Sequence, residues 1–535
     1  MLLNPPRTLL LVVAASACTL APSPLGELPD DTSATAGSSA TTTGASASTS
    51  TISSATASTT TASTTASTTA TSSTNTTASA TATSESDTDP PPGTAWDLYC
   101  EYVQRHGGRC DPDVDDAPDL VYPGRGFLVH EWGTDTVVLG SDGAPLRGLH
   151  HEDMDLPAFV YDRIGAGSLD GSVSVHVKME TPVTYFYSDV ARSVDVAVGF
   201  PKGVFSQWYP AVARFEPYVA APESIPKLPE YDDPVLNPGF PFASELCRGL
   251  YAVVDGGLLD WGTIAVLGRD VDLPLLDAPL SESAWSYARA VESNLVEVSG
   301  APGADPPQHE RFLFYRGVGN FPLPLTITAA GDDAIEVTND AAVDVGRVFV
   351  IQVDGARGAF YEWSEGVAAG QMIAASAPPL ASAPPLDLFV DALAERVTEA
   401  LDGAGLYHDE ALAMVATWRE QWFGAPGLRL LYLAPQAWTD ASIPLSLTPT
   451  PDALLRVMVI RSEVLTPEQE LIDVDAAALL AAPDTYDAGR AHFIALGRFA
   501  EPRLRRASAL LGDPKYAAPL IAELLHADAR ITTGE

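Results

Sequence analysis

Residues 126–163 read GFLVHEWGTDTVVLGSDGAPLRGLHHEDMDLPAFVYDR, and this stretch opens the part of the chain that has strand-like patterning. Apolar residues run from Phe127 to Val129 and from Thr136 to Leu139, and a Ser-Asp-Gly turn signal follows. Similar short runs, separated by Pro and Gly, recur far beyond this stretch. Many short strands between turn signals are typical of β-sandwiches and barrels. We therefore predict a β-rich domain over residues 120–365, either one large domain or two sandwiches.

The periodicity changes after a proline-rich break at residues 378–385. Four apolar residues then recur with the spacing of one helix face: Phe389, Leu393, Val397 and Leu401. Two glycines end this pattern and a second helical segment follows over residues 409–423, so we predict an αα-hairpin. Two further strands and a helical tail are predicted at residues 428–433, 454–460 and 476–526. The region 386–535 is thus predicted to be α+β, and α+β is the fold class expected for the whole body.

The first eighteen residues have the features of a secretory leader. Arg7 supplies a positive charge, and a short apolar run from Thr8 to Ala17 follows. This run is too short to span a bilayer, which takes about twenty residues. The sequence Ala15-Ser16-Ala17-Cys18 resembles the bacterial lipobox, although Ala15 replaces the usual leucine and leaves ordinary cleavage open. The resemblance implies a lipid on Cys18 and, because Thr19 is not Asp, an outer-membrane address, with the body periplasmic or at the cell surface.

Low-complexity sequence separates this leader from the body. Residues 31–92 are almost entirely Ser, Thr and Ala, which offer too little apolar surface to offset the entropy of ordering. We therefore predict that residues 19–93 form a disordered stalk, and about sixty such residues reach on the order of 40 Å. The chain has 30 basic and 70 acidic residues, a net charge of −40. Such a charge disfavours binding to nucleic acid, so the membrane is expected to be reached through the lipid alone.

Residues 94–119 form a small segment that contains two of the four cysteines. In an exported protein Cys100 and Cys110 are expected to form a disulfide, with Cys247 left as a thiol. Three carboxylates alternate just beyond them, as in calcium loops: Asp111, Asp113 and Asp115. Asp116 and Tyr122 occupy the positions where an EF-hand has Gly and Glu. A looser calcium loop and a solvated acidic turn both remain open.

Three of the nine histidines lie in the opening stretch, each beside or close to a carboxylate. Neither an HExxH helix nor a nucleophile elbow occurs in the chain. A metal site built from loops and strand ends is possible, and five residues are its candidate ligands: His130, His150, His151, Asp153 and Glu180. In a catalytic site, Glu131 or Glu152 would accept the proton of a metal-bound water. The alternative is that these His-Glu pairs form local hydrogen bonds in solvated turns.

Eight large aromatic residues punctuate the β region: Trp132, Tyr185, Tyr187, Trp208, Tyr209, Trp261, Trp285 and Trp363. Such rings stack against sugars when exposed, but they more often anchor the core of a large β domain. In the HERFLFYRGVGNF segment, Arg311 and Arg316 are placed to hold a ligand carboxylate or to pair with nearby acidic residues.

Four segments, HEWGT, METPVTYFY, FYRGVGNF and MVATWREQWF, resemble a set of uncharacterised exported proteins of the myxobacterial and planctomycete kind. The resemblance covers about residues 120–470 and implies one architectural unit, but it assigns no residue a role. The leader, the stalk and the missing catalytic motifs favour a non-enzymatic role at the cell envelope, such as binding a glycan or a protein partner. A metal-dependent hydrolase that uses residues 130–155 is the alternative hypothesis.

Overall fold

The computed structural model describes residues 125–149, 156–162, 175–216, 255–278, 284–331, 333–512, 519–521 and 524. All of them belong to one compact unit, residues 87–535. The predicted leader, stalk and cysteine-containing segment lie outside the described residues, and the lipidation, disulfide and calcium predictions therefore stay predictions: Cys18, Cys100, Cys110, Asp111, Asp113 and Asp115. No helix among the described residues is both long and apolar enough to cross a membrane.

The described part of the chain forms these strands: β1 (Phe127–Leu139), β2 (Tyr161–Asp162), β3 (Val177–Met179), β4 (Val183–Ser188), β5 (Arg192–Phe200), β6 (Gly203–Tyr209), β7 (Arg214–Glu216), β8 (Gly257–Val266), β9 (Val296–Val298), β10 (Gln308–Glu310), β11 (Phe312–Gly319), β12 (Leu325–Ala329), β13 (Ala334–Asn339), β14 (Gly346–Val353), β15 (Gly358–Trp363), β16 (Met372–Ser376), β17 (Gly427–Ala434), β18 (Leu445–Thr448) and β19 (Ala453–Val464). Its α-helices are α1 (Trp285–Arg289), α2 (Leu386–Gly403), α3 (His408–Trp418), α4 (Gln436–Ser442), α5 (Pro467–Leu479), α6 (Tyr486–Ile494) and α7 (Ala500–Leu511). This mixture confirms the predicted α+β class.

The main sheet, sheet A, has ten strands in the order β15-β14-β17-β19-β1-β3-β11-β6-β2, with β4 paired to β1 and β11. At its centre β1 and β19 run parallel, in register from Leu128 with Ala453 to Leu139 with Val464. Strands from both predicted regions, residues 120–365 and 386–535, therefore belong to one sheet.

Two smaller sheets lie against one face of sheet A. Sheet B has the order β10-β9-β8-β5-β18, with β7 paired to β8, and sheet C has the order β12-β13-β16. One buried apolar cluster joins all three sheets and includes Val129 of β1, Val196 of β5, Ile264 of β8 and Ile335 of β13. Since side chains alternate along a strand, the β1 residues in this cluster all lie on one face of the strand: Phe127, Val129, Val137 and Leu139.

Helices cover the other face of sheet A. A second apolar cluster joins Trp132 of β1 and Phe349 of β14 to Leu393 of α2 and Met414 of α3. The helices α2 and α3 are the predicted αα-hairpin, which is confirmed. The second helix was predicted to run to residue 423, but the α-helix ends at Trp418 and a π-helical turn, Arg419–Phe423, follows. Arg429 of β17 fixes the end of this turn, since its Nη2 donates to the carbonyls of Ala425 and Pro426 at 2.5 and 3.1 Å.

Candidate functional site

His130 lies on the helix-facing side of β1 and is buried. Its Nδ1 is 2.9 Å from Oε2 of Glu410, the third residue of α3. The hydroxyl of Tyr187 donates to the other oxygen of Glu410 at 2.8 Å, and the amide of Tyr407 donates to Oε2 at 2.7 Å. Burial, and secondly the charge of Glu410, raises the pKa of Tyr187 well above its usual range, so its hydroxyl keeps its proton. This group connects the start of α3 to the middle of sheet A.

Glu131 points to the opposite face, into the core between the sheets. Its Oε2 accepts from Nε of Arg456 at 2.5 Å, and both side chains are fully buried. The hydroxyls of Thr184 and Tyr315 donate to its other oxygen. Because neighbouring residues on a strand project to opposite faces, Glu131 cannot take a proton from a water bound on the side of His130. Glu131 and His130 therefore cannot act together on one metal-bound water, and the alternative acceptor, Glu152, lies outside the described residues.

Glu180 follows β3 and is also paired. Its Oε1 is 2.6 Å from Nη1 of Arg498, and both side chains are 2% exposed. Burial opposes ionisation of Glu180, but the charges of Arg498, Lys178 and Arg316 outweigh it and lower the pKa of this carboxyl to about 2. Glu180 is thus a buried anion that stabilises the surrounding cations.

The structure does not bring His130 and Glu180 together. The amide of Glu180 donates to the carbonyl of Thr134, four residues along β1 from His130, which corresponds to about 13 Å. The two side chains also have different partners, since His130 contacts Glu410 and Glu180 pairs with Arg498. Among the described residues no group of three or more His, Cys, Asp or Glu is arranged to hold a metal. The other candidates lie outside those residues and stay predictions: His150, His151, Glu152 and Asp153.

Seven of the eight aromatic residues singled out in the sequence are buried, which confirms the core interpretation for them: Trp132, Tyr185, Tyr187, Trp208, Tyr209, Trp261 and Trp285. Trp363 is the exception among the eight and is only half-buried. It lies on β15 two residues from Tyr361, which is also half-buried, and their ring centroids are 6.0 Å apart with 43° between the planes. We call these two rings the edge pair.

Strand β15 holds the edge pair in a fixed orientation. Phe360 packs on Phe389 of α2 with ring centroids 6.0 Å apart, and Glu362 pairs with Arg396 of α2 at 2.6 Å. These contacts direct the alternate residues, the edge pair, to the other face. There the Tyr361 hydroxyl donates to the carbonyl of Ser376 on β16 at 2.7 Å. The rings therefore lie at the border of sheets A and C.

The surroundings of the edge pair combine apolar and polar groups. Strand β15 is the last strand of sheet A, and no strand among the described residues pairs with its outer edge. An edge strand offers backbone N–H and C=O groups to another molecule. On the neighbouring strand β16, the Met372 side chain is 61% exposed.

Sequence analysis selected Trp363 but missed Tyr361. The signal was the spacing of two residues between them, because a strand places residues at this spacing on one face.

A second feature lies on the helix-facing side of sheet A, beneath α1. A cavity of about 30 Å³ is lined by six principal residues: Trp132, Trp285, Phe312, Phe314, Thr417 and Arg316. One water needs about 10 to 15 Å³ by this kind of measure, so the cavity has room for about two. Of the two arginines predicted to hold a carboxylate, Arg316 lines this cavity, whereas Nη1 of Arg311 donates to the carbonyl of Ser293 at 3.0 Å. The two do not converge on one ligand.

Asp135 is a buried acid that sequence analysis did not select. It lies on β1 with no solvent exposure, and neither carboxyl oxygen has a hydrogen-bond partner among the described residues. Burial, and secondly the charge of Glu180, raises its pKa well above the usual range. The hydroxyls of Tyr432 and Ser462, on β17 and β19, are likewise buried without a partner. A carboxyl in such surroundings is held as the neutral acid.

Comparisons with known proteins identify no family. No family model matches the chain, and no curated protein matches it. Two solved structures of the yeast delta-COP-I mu-homology domain align with 64% of this chain and 98% of their own. The one complexed with a Dsl1 WxWxV peptide has a TM-score of 0.23 and 10% identity. The other has a TM-score of 0.21 and 9% identity. Likeness at this level supports no argument about fold or function.

Proposed function

We propose that this protein is an envelope-anchored binding protein whose body holds a cell-envelope glycan at the edge pair, Tyr361 and Trp363. The observation that carries the proposal is the placement of these rings. The other seven aromatic residues singled out in the sequence are fully buried. Trp363 and its neighbour Tyr361 are only half-buried, at the margin of the core cluster on the face of edge strand β15 that borders sheet C.

The chemistry of the edge pair suits a sugar better than an ion or a nucleic acid. Aromatic faces offer apolar surface at little entropic cost and pack against the C–H faces of sugar rings. The backbone groups along the outer edge of β15 can hydrogen-bond sugar hydroxyls. A net charge of −40 repels a phosphate backbone and leaves neutral glycans as the better partners.

A binding role also agrees with the ion pairing of Glu131 and Glu180. The sequence had suggested Glu131 as a catalytic base and Glu180 as a metal ligand. Glu131 is paired with Arg456, and Glu180 is paired with Arg498. A carboxylate held in a buried ion pair is a poor general base, because protonation would leave its partner cation uncompensated. The leader, the lipobox-like Cys18 and the Ser/Thr-rich stalk support an outer-membrane anchor from which the body reaches the envelope glycans.

The proposal is tested with full-length protein on an array of envelope polysaccharides, followed by titration of any glycan that binds. Trp363→Ala and Tyr361→Ala should each weaken binding by about 2- to 10-fold, since a ring contact contributes about 0.5 to 1.5 kcal/mol beyond its buried area. Leu471→Ala is the matched control, because Leu471 is an exposed apolar side chain on α5, outside strands β15 and β16, and its loss should leave affinity unchanged. Unchanged glycan binding in both ring variants would overturn the proposal.

A further inference from the structure

Three polar side chains without hydrogen-bond partners lie in the apolar core between the sheets. They are Asp135 of β1, Tyr432 of β17 and Ser462 of β19, and each is at most 1% exposed. Among the described residues, neither the two carboxyl oxygens of Asp135 nor the two hydroxyls have a partner. Buried polar groups in native proteins almost always have one, either in the protein or in an ordered water. These three side chains, which we call the oxygen cluster, therefore indicate a bound molecule.

The pairing of the central strands brings the oxygen cluster together. Asp135 lies opposite Ile460 of β19, and Ile460 lies opposite Tyr432 of β17. Directly paired residues project to the same face of a sheet, and Ser462 shares that face because it is two residues from Ile460. Neighbouring strands are about 4.8 Å apart, so the backbones of Asp135 and Tyr432 are about 10 Å apart. The three side chains thus extend from adjacent strands into one region of the core.

The ionisation of Tyr432 agrees with this placement. Burial raises the pKa of its hydroxyl above the usual range, the nearby Ser462 hydroxyl opposes that shift, and a charge on Asp135 adds to it. Both neighbours are therefore close to the Tyr432 hydroxyl. No hydrogen bond of acceptable geometry joins any two of the three groups. The groups are thus close together without satisfying one another.

The surroundings of the oxygen cluster decide what kind of molecule can bind. Met179 of β3 is paired with Asp135, and Met179, Val137 and Ile460 all belong to the apolar cluster. A calcium or magnesium ion takes at least about six oxygen ligands. The oxygen cluster supplies four oxygens, and the backbone groups of its strands are paired within the sheet. A water molecule needs only about two to four polar partners and brings no charge into the core.

We infer that one buried water molecule binds the carboxyl group of Asp135 and the hydroxyls of Tyr432 and Ser462. Each hydroxyl can donate or accept a hydrogen bond, so a single water can satisfy all three groups. The water joins the three central strands of sheet A through their side chains, in addition to the backbone pairing. This site is separate from the edge pair and does not depend on glycan binding.

Oxygen-17 relaxation dispersion of water tests the inference on full-length protein, because it counts the water molecules that stay bound for longer than the protein takes to tumble. A double variant, Tyr432→Phe with Ser462→Ala, leaves the water a single partner, fewer than a buried water needs. The count should therefore fall by one. Tyr432→Phe alone leaves two partners and should shorten the residence time of this water by about 2- to 10-fold, the effect of losing one hydrogen bond.

The matched control is a second double variant, Tyr185→Phe with Thr398→Val. It also removes two buried hydroxyls, but these donate to the carbonyls of Ala288 and Ala394 at 3.0 and 2.9 Å. Its water count should equal that of the wild type. The inference is overturned if the variant of the oxygen cluster keeps the wild-type count, since the three groups then bond directly to one another, or if the control also loses a water. If the variant of the oxygen cluster does not fold, the residence time in Tyr432→Phe decides, and an unchanged value overturns the inference.

Discussion

Glu131 and Arg456 form an ion pair of 2.5 Å in the interior of the protein, and neither side chain has any solvent exposure. The two residues are 325 positions apart in sequence and lie on β1 and β19, the parallel pair at the centre of sheet A. The Arg456 guanidinium also reaches Asp440 through Nη1 at 2.9 Å. The ion pair therefore joins two strands that are distant in sequence, at the core of the body.

Replacing Glu131 by Gln should lower the free energy of unfolding by about 3 to 5 kcal/mol, because it leaves the buried guanidinium of Arg456 without its counter-charge. Urea denaturation followed by tryptophan fluorescence measures this loss. Glu216→Gln breaks an exposed pair with Arg214 and should change stability by less than about 1 kcal/mol. Equal effects of the two substitutions would mean that the buried pair is not formed.

Asp135 should make stability depend on pH. Its folded-state pKa is raised by burial and by the charge of Glu180, so its contribution to stability is fully present below the unfolded pKa, about 3.9, and is lost as pH rises through the folded pKa. The Asp135→Asn variant has no ionisable side chain at this position. The free energy of unfolding of the variant minus that of the wild type should therefore rise between pH 4 and pH 7, by at most about 1.4 kcal/mol per pH unit.

The measurement is a set of urea unfolding curves for both proteins across that pH range. Other titrating groups cancel in the difference, provided that the substitution leaves their surroundings unchanged. The near titrating groups to check are Glu180 and Tyr432. A constant difference at all pH values would contradict the assignment of a raised pKa to Asp135.

Local sequence patterns were sufficient for the αα-hairpin and for most strands of sheet A. The stripe from Phe389 to Leu401 repeats with helical spacing, and α2 buries it. The parallel pairing of β1 with β19 could not be predicted in this way, since local periodicity does not identify a partner more than 300 residues away. The sharing of one sheet by strands from both sides of residues 365–386 was not predicted for that reason.

The candidate site was harder to predict than the fold, because a charged residue in a strand has several interpretations. Glu131 and Glu180 were considered as a catalytic base and a metal ligand, and each has a buried arginine partner from a distant part of the chain. Strand β15 was missed, although its alternation places Tyr361 and Trp363 on one face. Sequence alone does not distinguish a tryptophan in the core from one at the edge of a sheet.

Glu410 should control how firmly the αα-hairpin is attached to sheet A. Its two oxygens contact His130 at 2.9 Å, Tyr187 at 2.8 Å and the amide of Tyr407 at 2.7 Å, all in a buried setting. Glu410→Gln should cost about 1 to 3 kcal/mol, because a neutral amide cannot accept all these bonds. Hydrogen exchange should become faster in α2 and α3. Asp391→Asn removes an exposed partner of Arg419 and should leave that exchange unchanged.

Cys18→Ser should abolish labelling with radioactive palmitate and move the protein from the membrane fraction to the soluble fraction of an expressing bacterium. The reason is that Cys18 is the predicted site of the lipid, and the apolar leader run is shorter than the roughly twenty residues that span a bilayer. Cys100→Ser is the matched control, because Cys100 lies beyond the predicted stalk and should leave labelling and fractionation unchanged. An unlabelled wild-type protein that stays with the membrane would show that something other than acylation of Cys18 holds it there.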